Sequence, residues 1–392
     1  EIMNSVEEIW QKLSDNNFKV STDTRKDLTG SIFFALKGES FDGSTFAEEA
    51  LAKGAIGVVT ENALEMLQTL ARRYRDLFNI PIIAIGGSNG KTTSRELIRK
   101  VLETRYKVHS SESNLNNHIG LPLSIFSMDK TAEIAVFEIG ANHLGEHIEL
   151  LEILNPTHVI VTNSGLDHLE GFGSPAEVEK ANEEINDWAR AHGAIILENV
   201  DHGLKVSTSL PLIVTKDNKE YPTHLVGDYN LENINRAVSI GKIFDVDIEK
   251  ALESITHYSP TAQRSQLLSK DGIRFVVDCY NANPTSMMLA LESFLKSADK
   301  PRGVILGDML ELGSYAEQEH KKILEFILKQ DFETVVLIGN NFKQALSGLE
   351  TEAWWFPDSD QAREWFSKQN FTGYTLLLKG SRGVKVEKVI SL

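Results

Sequence analysis

Short apolar runs alternate with stretches of helical period from one end of the chain to the other. Near the start, residues 31–36 read as a strand, 45–53 as a helix and 56–59 as a second strand, which predicts a small α/β unit over residues 1–80. Pro81 then opens a buried strand at 82–85, and Leu97, Ile98, Val101 and Leu102 mark the inward face of the helix that follows. Further strands are expected at 135–138, 158–161 and 194–197 with helical stretches between them, the alternation of a parallel, doubly wound sheet. A third alternation begins after residues 258–261, with strands at 275–278, 303–306, 334–338 and 375–378. The expected architecture is α/β with three domains, 1–80, 81–259 and 260–392, the last Rossmann-like, with a ligand cleft where the second and third meet.

Composition agrees with this division. A chain of 392 residues exceeds one ordinary core, and 41% hydrophobic with 24% charged residues is normal for a globular protein. The formal charge of −16 argues against nucleic acid or an anionic membrane as partner, while leaving room for a local basic cleft. Cys279 is the single cysteine, which excludes an internal disulfide and a cysteine-cluster metal site. No apolar run reaches membrane-spanning length, and the first residues are acidic where a signal peptide would be basic. A cytoplasmic monomer without membrane insertion is expected.

The chemistry concentrates after the strand at 82–85. Gly86, Gly87, Ser88, Asn89, Gly90, Lys91, Thr92 and Thr93 join it to a helix, and this pattern suits a nucleotide triphosphate. Glycines let backbone N–H groups close on phosphate oxygens, Lys91 reaches the terminal phosphates, and the Thr92 hydroxyl is placed to ligate Mg²⁺. Ile85 stands where the common loop has its first glycine, so this loop is shortened; a glycine-rich turn without ligand is the bland alternative. Glu138 ends a neighbouring strand and is a candidate metal ligand beside Thr92, against a solvated strand-end glutamate. His168 follows the next strand and could hold a second metal, or simply be a solvated loop histidine. Asn114, Asn116, Asn117 and His118 form a cluster suited to neutral hydrogen bonding of a substrate, though asparagine-rich turns explain it equally well.

Taken with Ser21 to Arg25, Gly30 to Gly38, Asp278 to Ser286, Leu306 to Gly313 and Lys379 to Arg382, these motifs resemble the Mur ligase family along the whole chain. The resemblance implies an ATP-dependent ligase of peptidoglycan precursor synthesis that joins D-alanyl-D-alanine to a UDP-N-acetylmuramoyl-tripeptide through an acyl phosphate, with ATP and Mg²⁺ as cofactors. It implies Lys91, Glu138 and His168 as catalytic residues, with Thr92, Glu138 and His168 on metal. Gly87 to Thr93, Asn233, Arg264 and Asp278 would meet the nucleotide. Asp23, Thr24 and Arg25 would meet the UDP-sugar, and Asn116, Asn117, Asn281, Asn283, Lys379 and Ser381 the remaining substrate atoms.

The chain departs from the family's pattern at three places. Asn182 stands where the resemblance implies a lysine carbamylated by CO₂ to bridge metal ions, unless Glu183 or Glu184 compensates; Lys180 belongs to another helix face. Only 33 residues lie between Gly193 and Gly227, a trimmed stretch, and Asp167 precedes His168 where a small residue is usual. A paralogue joining another amine to a related carboxylate, and a non-catalytic nucleotide or UDP-sugar binder, are the competing readings. Trp354 and Trp355 read as packing residues.

Overall fold

The structure is a computed structural model that describes residues 1–112, 114–260 and 263–392. Thr261, the end of the expected boundary segment, lies outside the described residues. The architecture is the expected one, three α/β domains built on parallel sheets.

Three short parallel strands, Val20–Ser21, Ile32–Phe34 and Gly57–Val59, form the first sheet. The helix Ala63–Arg75 buries Leu67, Leu70 and Ala71 in a core that continues, through Phe18, Tyr74 and Phe126, into the central domain. Tyr74 donates its hydroxyl to Met128 O at 2.7 Å, a buried tie between the two.

In the central sheet the strands run in the order Val108–Ser110, Ile134–Glu138, Ile82–Gly86, His158–Val161, Ile195–Ile196, all parallel. The phosphate-loop strand is in the middle, and the chain leaves it first to one side and later to the other. That makes its C-terminal end a topological switch point, where open α/β sheets carry ligands. All five of its residues are buried, as strands covered by helices on both faces must be. The following helix, Lys91–Glu103, buries Leu97, Ile98, Val101 and Leu102 against Ile234, Ala237 and Val238 of the helix Asn230–Ile243.

Residues 205–222 form an antiparallel meander, Lys205–Ser209, Leu212–Lys216 and Lys219–Pro222, that the alternation did not predict. The trimmed stretch is therefore a small folded layer. The third sheet orders its strands Gln266–Lys270, Ile273–Asp278, Thr375–Lys379, Arg302–Gly307, Thr334–Ile338, Trp354–Phe356. It is parallel except for the first, an unpredicted edge strand antiparallel to Ile273–Asp278. Trp354 packs at 4.9 Å from Trp365, and Trp355 donates to Gly339 O at 2.8 Å. Among the described residues, no helix is long and apolar enough to cross a membrane.

Candidate active site

Sheet register brings the first functional groups together. Ile85 pairs with Glu138 and Gly86 with Val161, so the ends of three neighbouring strands surround the phosphate loop. Gly87 has φ +123°, and a Cβ there would come within 2.1 Å of Thr162 Oγ1, so no side chain fits. Gly90 has φ +82° and faces Asn233 Oδ1, 2.7 Å from where its Cβ would be. Asn163 fastens the loop: its Oδ1 accepts from Asn89 N at 3.0 Å, its Nδ2 donates to Asn89 O at 3.0 Å, and its carbonyl accepts from Ser88 N at 2.9 Å. The helix begins at Lys91, so its first N–H groups have no intrahelical acceptor and point toward the cleft with the positive end of the dipole. Lys91 Nζ rests on Gly87 O at 2.7 Å.

Thr92 donates its hydroxyl to both carboxylate oxygens of Glu138, at 3.1 and 3.0 Å. Glu138 is 3% exposed and also meets Asn116 Nδ2 at 3.4 Å and Arg95 Nε at 3.5 Å. One hydroxyl and one carboxylate, side by side at a phosphate loop, are the hard oxygen donors that suit Mg²⁺, which keeps waters and phosphate oxygens for its other positions. His168 does not join this pair. It lines the cleft, but it takes a left-handed φ of 46° and places Nδ1 2.7 Å from Glu311 Oε2 of the third domain. That imidazole beside Glu311 pulls its carboxyl below the ordinary glutamate range. Among the described residues, no three His, Cys, Asp or Glu side chains cluster to hold a metal.

The third domain supplies the opposite wall of a cleft of about 350 Å³. Lys379, 2% exposed, donates to Asp278 Oδ2 at 2.7 Å and to Asn281 O at 3.2 Å. The Arg264 guanidinium lies 3.4 Å above the Tyr280 ring. Asn283 caps the helix Pro284–Ser297 in a capping box with Ser286, and reaches across to Asn89 Oδ1 at 2.7 Å. Leu166 N donates to Thr285 Oγ1 at 3.0 Å, so the two domains meet directly beside the loop.

Charge is arranged with the same economy. The carboxylates that line the cleft are each engaged: Glu138 with Thr92 and Arg95, Glu232 with Arg236 at 2.9 Å, and Asp278 with Lys379. Lys91 and Arg264 have no carboxylate within ion-pair distance among the described residues. An acidic chain thus presents a locally cationic cleft, which favours an anionic ligand.

Of the other expected residues, all but Asn233 sit outside the cleft lining. Asp23 accepts both Nε and Nη2 of Arg25 at 2.9 Å, and this pairing holds its carboxyl down to about 2. Neither these two nor Thr24 lines the cleft. Asn117 Oδ1 caps Ile119 N and Gly120 N, at 3.1 and 2.8 Å. Ser381 bridges Leu310 N and Ala282 O. Asn233 lines the cleft with its amide already committed to Ser94, Arg236 and Asn230. Glu183 pairs with Arg190 at 3.0 Å on the outer face and Glu184 accepts from Gly145 N at 3.0 Å, so neither turns to the loop in compensation for Asn182. Asn182 is buried, and its Nδ2 faces Ser88 Oγ at 3.3 Å, Asn163 O at 3.4 Å and Ser164 Oγ at 3.1 Å. Asn163 and Tyr280 line the cleft and were missed as site residues; the position of Asn163 just past a strand that neighbours the loop was the available signal.

Three family descriptions match the chain: Mur ligase family, catalytic domain, over residues 19–116; Mur ligase middle domain over 85–211; and Mur ligase, glutamate ligase domain, over 263–382. The UDP-N-acetylmuramoyl-tripeptide–D-alanyl-D-alanine ligase of Bacillus subtilis is 30% identical over 425 residues, 95% of this chain and 92% of that one. The chain belongs to the Mur ligase family. The enzyme of the same name from Escherichia coli is 29% identical over 95% of this Mur ligase and 92% of its own length. Both alignments are longer than this chain's 392 residues, so those relatives carry stretches that it lacks. In fold, the crystal structure of MurF from Acinetobacter baumannii matches with a TM-score of 0.84 at 23% identity, covering 97% of each chain. MurF from Thermotoga maritima in complex with ADP matches at 0.77 and 22% identity, over 95% of this chain and 96% of that one.

Proposed function

We propose that this Mur ligase uses ATP to join D-alanyl-D-alanine to UDP-N-acetylmuramoyl-tripeptide. The observation that carries this reading is likeness over more than nine-tenths of both chains to enzymes named for that reaction. The geometry supports it, because one cationic cleft puts a phosphate loop opposite a second polar wall.

In this reading the loop from Gly87 to Thr93 and Lys91 hold the phosphates of ATP, with Asn233, Arg264 and Asp278 toward the rest of the nucleotide. Thr92 and Glu138 hold Mg²⁺, which when bound neutralises charge on the phosphates. The tripeptide carboxylate attacks the terminal phosphorus and ADP leaves; the dipeptide amine then attacks the acyl carbon, loses a proton, and inorganic phosphate leaves. Asn116, Asn281 and Lys379 line the cleft where those groups meet, and Asp23, Thr24 and Arg25 take the UDP-sugar. His168 spends Nδ1 on Glu311, so its part is to hold the domains closed and water away from the acyl phosphate. Asn117, Asn283 and Ser381 act by shaping the backbone around the substrate. We divide the chain into domains at 1–80, 81–259 and 260–392, and place it in the cytoplasm as a monomer.

The test is ADP release and product mass from purified protein given ATP, Mg²⁺, UDP-N-acetylmuramoyl-tripeptide and D-alanyl-D-alanine. A product heavier than the tripeptide substrate by the dipeptide less one water is expected. ADP formation that does not depend on the dipeptide, or none at all, would overturn the reading.

A further inference from the structure

The bulkiest fully buried side chain among the described residues is a charged one, Arg236, 1% exposed. A guanidinium out of water is costly unless its donors and its charge are met. Nη1 donates to Ser94 Oγ and to Asn233 Oδ1, both at 2.9 Å; Nη2 donates to Thr162 O at 3.0 Å and to Glu232 Oε1 at 2.9 Å. Ser94 lies early in the helix that begins at Lys91, and Thr162 directly follows the strand His158–Val161, so one side chain braces both flanks of the phosphate loop. Glu232 and Asn233 precede Arg236 by four and three residues on the helix Asn230–Ile243, the spacing that puts all three on one face. Glu232 and Asn233 both line the cleft.

This brace decides what Asn233 can offer a ligand. A guanidinium has only donors, so the amide atom that faces it is the oxygen. Ser94 Oγ donates to the same Oδ1 at 3.2 Å, and the two donors use both of its lone pairs. Asn233 Nδ2 gives one hydrogen to Asn230 Oδ1 at 2.9 Å, and Asn230 is fixed in turn by its own Nδ2 on Val226 O at 2.8 Å. One N–H is left, so Asn233 meets the cleft as a donor only. Beside it Glu232 holds Oε1 on Arg236 with a side chain 56% exposed, which keeps Oε2 as a charged acceptor.

An asparagine that singles out adenine uses both its atoms, Oδ1 accepting from the N6 amino group while Nδ2 donates to N7. That pair is closed to Asn233. A lone donor finds N7 on adenine and on guanine alike, and a carboxylate accepts from the adenine amino group or from guanine N1–H and N2–H. We infer that the base end of this cleft takes guanine as well as adenine, so that GTP serves the chain as a phosphoryl donor beside ATP. The inference rests on the ligase reading above, in which Asn233 faces the nucleoside. The step itself is unchanged: a carboxylate oxygen bonds to the terminal phosphorus, the bond from that phosphorus to the β–γ bridging oxygen breaks, and GDP leaves with the electron pair. Arg236 is a positioning residue, acting through Asn233 and Glu232.

The experiment measures kcat and KM with ATP and with GTP, and the binding of ADP and GDP in Mg²⁺ by calorimetry, in the unchanged chain, Arg236→Met and Glu232→Ala. For the unchanged chain, kcat/KM for GTP is expected within about tenfold of that for ATP, and the two diphosphates are expected to bind alike to the same degree. Arg236→Met frees Asn233 Oδ1 for the N6 amino group, and the preference for ATP is expected to rise about tenfold through KM, whereas mere loosening of the loop would raise both KM values together. Glu232 is an exposed position whose truncation spares the core, and Glu232→Ala is expected to weaken GTP about tenfold more than ATP. A larger preference for adenine in the unchanged chain, in turnover and calorimetry together, overturns the inference and leaves the ligase reading standing. A GTP-to-ATP ratio unmoved in both variants overturns the roles given to Arg236 and Glu232. Equal binding of ADP and GDP with no ligation from either triphosphate overturns the ligase reading, and the donor role of GTP with it.

Discussion

Asn283 Nδ2 donates to Asn89 Oδ1 at 2.7 Å, so the phosphate loop of the central domain and the helix cap of the third share one hydrogen bond. The same Asn283 Oδ1 accepts from Ser286 N at 2.9 Å, which divides its amide between closing the domains and starting a helix. The two tasks are separable. Asn283→Asp keeps the capping oxygen and loses the donor to Asn89, so turnover is expected to fall while the melting temperature barely moves. Asn283→Ala loses the cap as well and is expected to cost about 1 kcal/mol of stability in addition. Thermal melts beside ADP-release assays check this; equal loss of stability in both variants would show that the interdomain bond is structural only.

Asn182 leads to a prediction about carbon dioxide. Its Nδ2 faces three oxygens around the phosphate loop, and an amide cannot be carbamylated as a lysine amine can. Initial rates of ADP release are expected to be the same in CO₂-depleted buffer and in buffer with bicarbonate. Asn182→Ala leaves buried Ser88 short of a donor and is expected to cost about 1–2 kcal/mol of stability, with a raised KM for ATP as the loop loosens. A rate that climbs with bicarbonate in the unchanged chain would show that a different lysine supplies a carbamate.

Much of this site was legible because its signals are local. Ile82 to Thr93 spells strand, loop and helix in one run, and Glu138 could be aimed at Thr92 once one was placed at a strand end and the other at the helix start on the same sheet edge. What the sequence hid depends on contacts between distant segments. The Asn89–Asn283 bond exists only because the third domain docks as it does. Asn182 reads from sequence as a lost metal ligand, and only its burial beside Ser88 and Ser164 shows what it holds instead. The meander was missed for another reason. Its strands are short and mostly solvent-facing, and the decisive clue was the two-residue turn Asp217 and Asn218, at φ 50° and 65°, the left-handed pair of a tight hairpin.

Acid should loosen the central domain through two histidines. Burial pushes the pKa of His109 and of His147 down from 6.5 to about 4, and His147 Nδ1 lies 2.8 Å from Ala181 O. Between those values the unfolded chain binds more protons than the folded one, so this stability is complete above pH 6.5 and drains away as pH falls toward 4. Each histidine adds a slope of at most about 1.4 kcal/mol per pH unit. Denaturant melts over that window are expected to show the loss, and His147→Asn is expected to flatten it. A slope identical to that of the unchanged chain would remove His147 from the account.

Glu138 separates charge from shape at the proposed metal site. Glu138→Gln keeps an oxygen to accept from Thr92, which in the unchanged chain donates at 3.0 Å, and keeps the volume of a side chain that is 3% exposed. It removes the negative charge that a hard cation requires of its ligand, while Arg95 retains Glu96 at 3.0 Å as a partner. The fold should therefore survive with a stability change within about 1 kcal/mol. Turnover is expected to fall by about a hundredfold or more, since electrostatic stabilisation of the transferred phosphoryl group supplies most of this kind of catalysis. The Mg²⁺ concentration for half-maximal rate should rise in the same variant, and Thr92→Ala should raise it as well, because the hydroxyl and the carboxylate are read as two ligands of one ion. Titrating Mg²⁺ against ADP release in both variants is the check. A Glu138→Gln enzyme that is slow but unchanged in its Mg²⁺ dependence would assign the carboxylate to holding Thr92 and Arg95, and leave the ion to other oxygens.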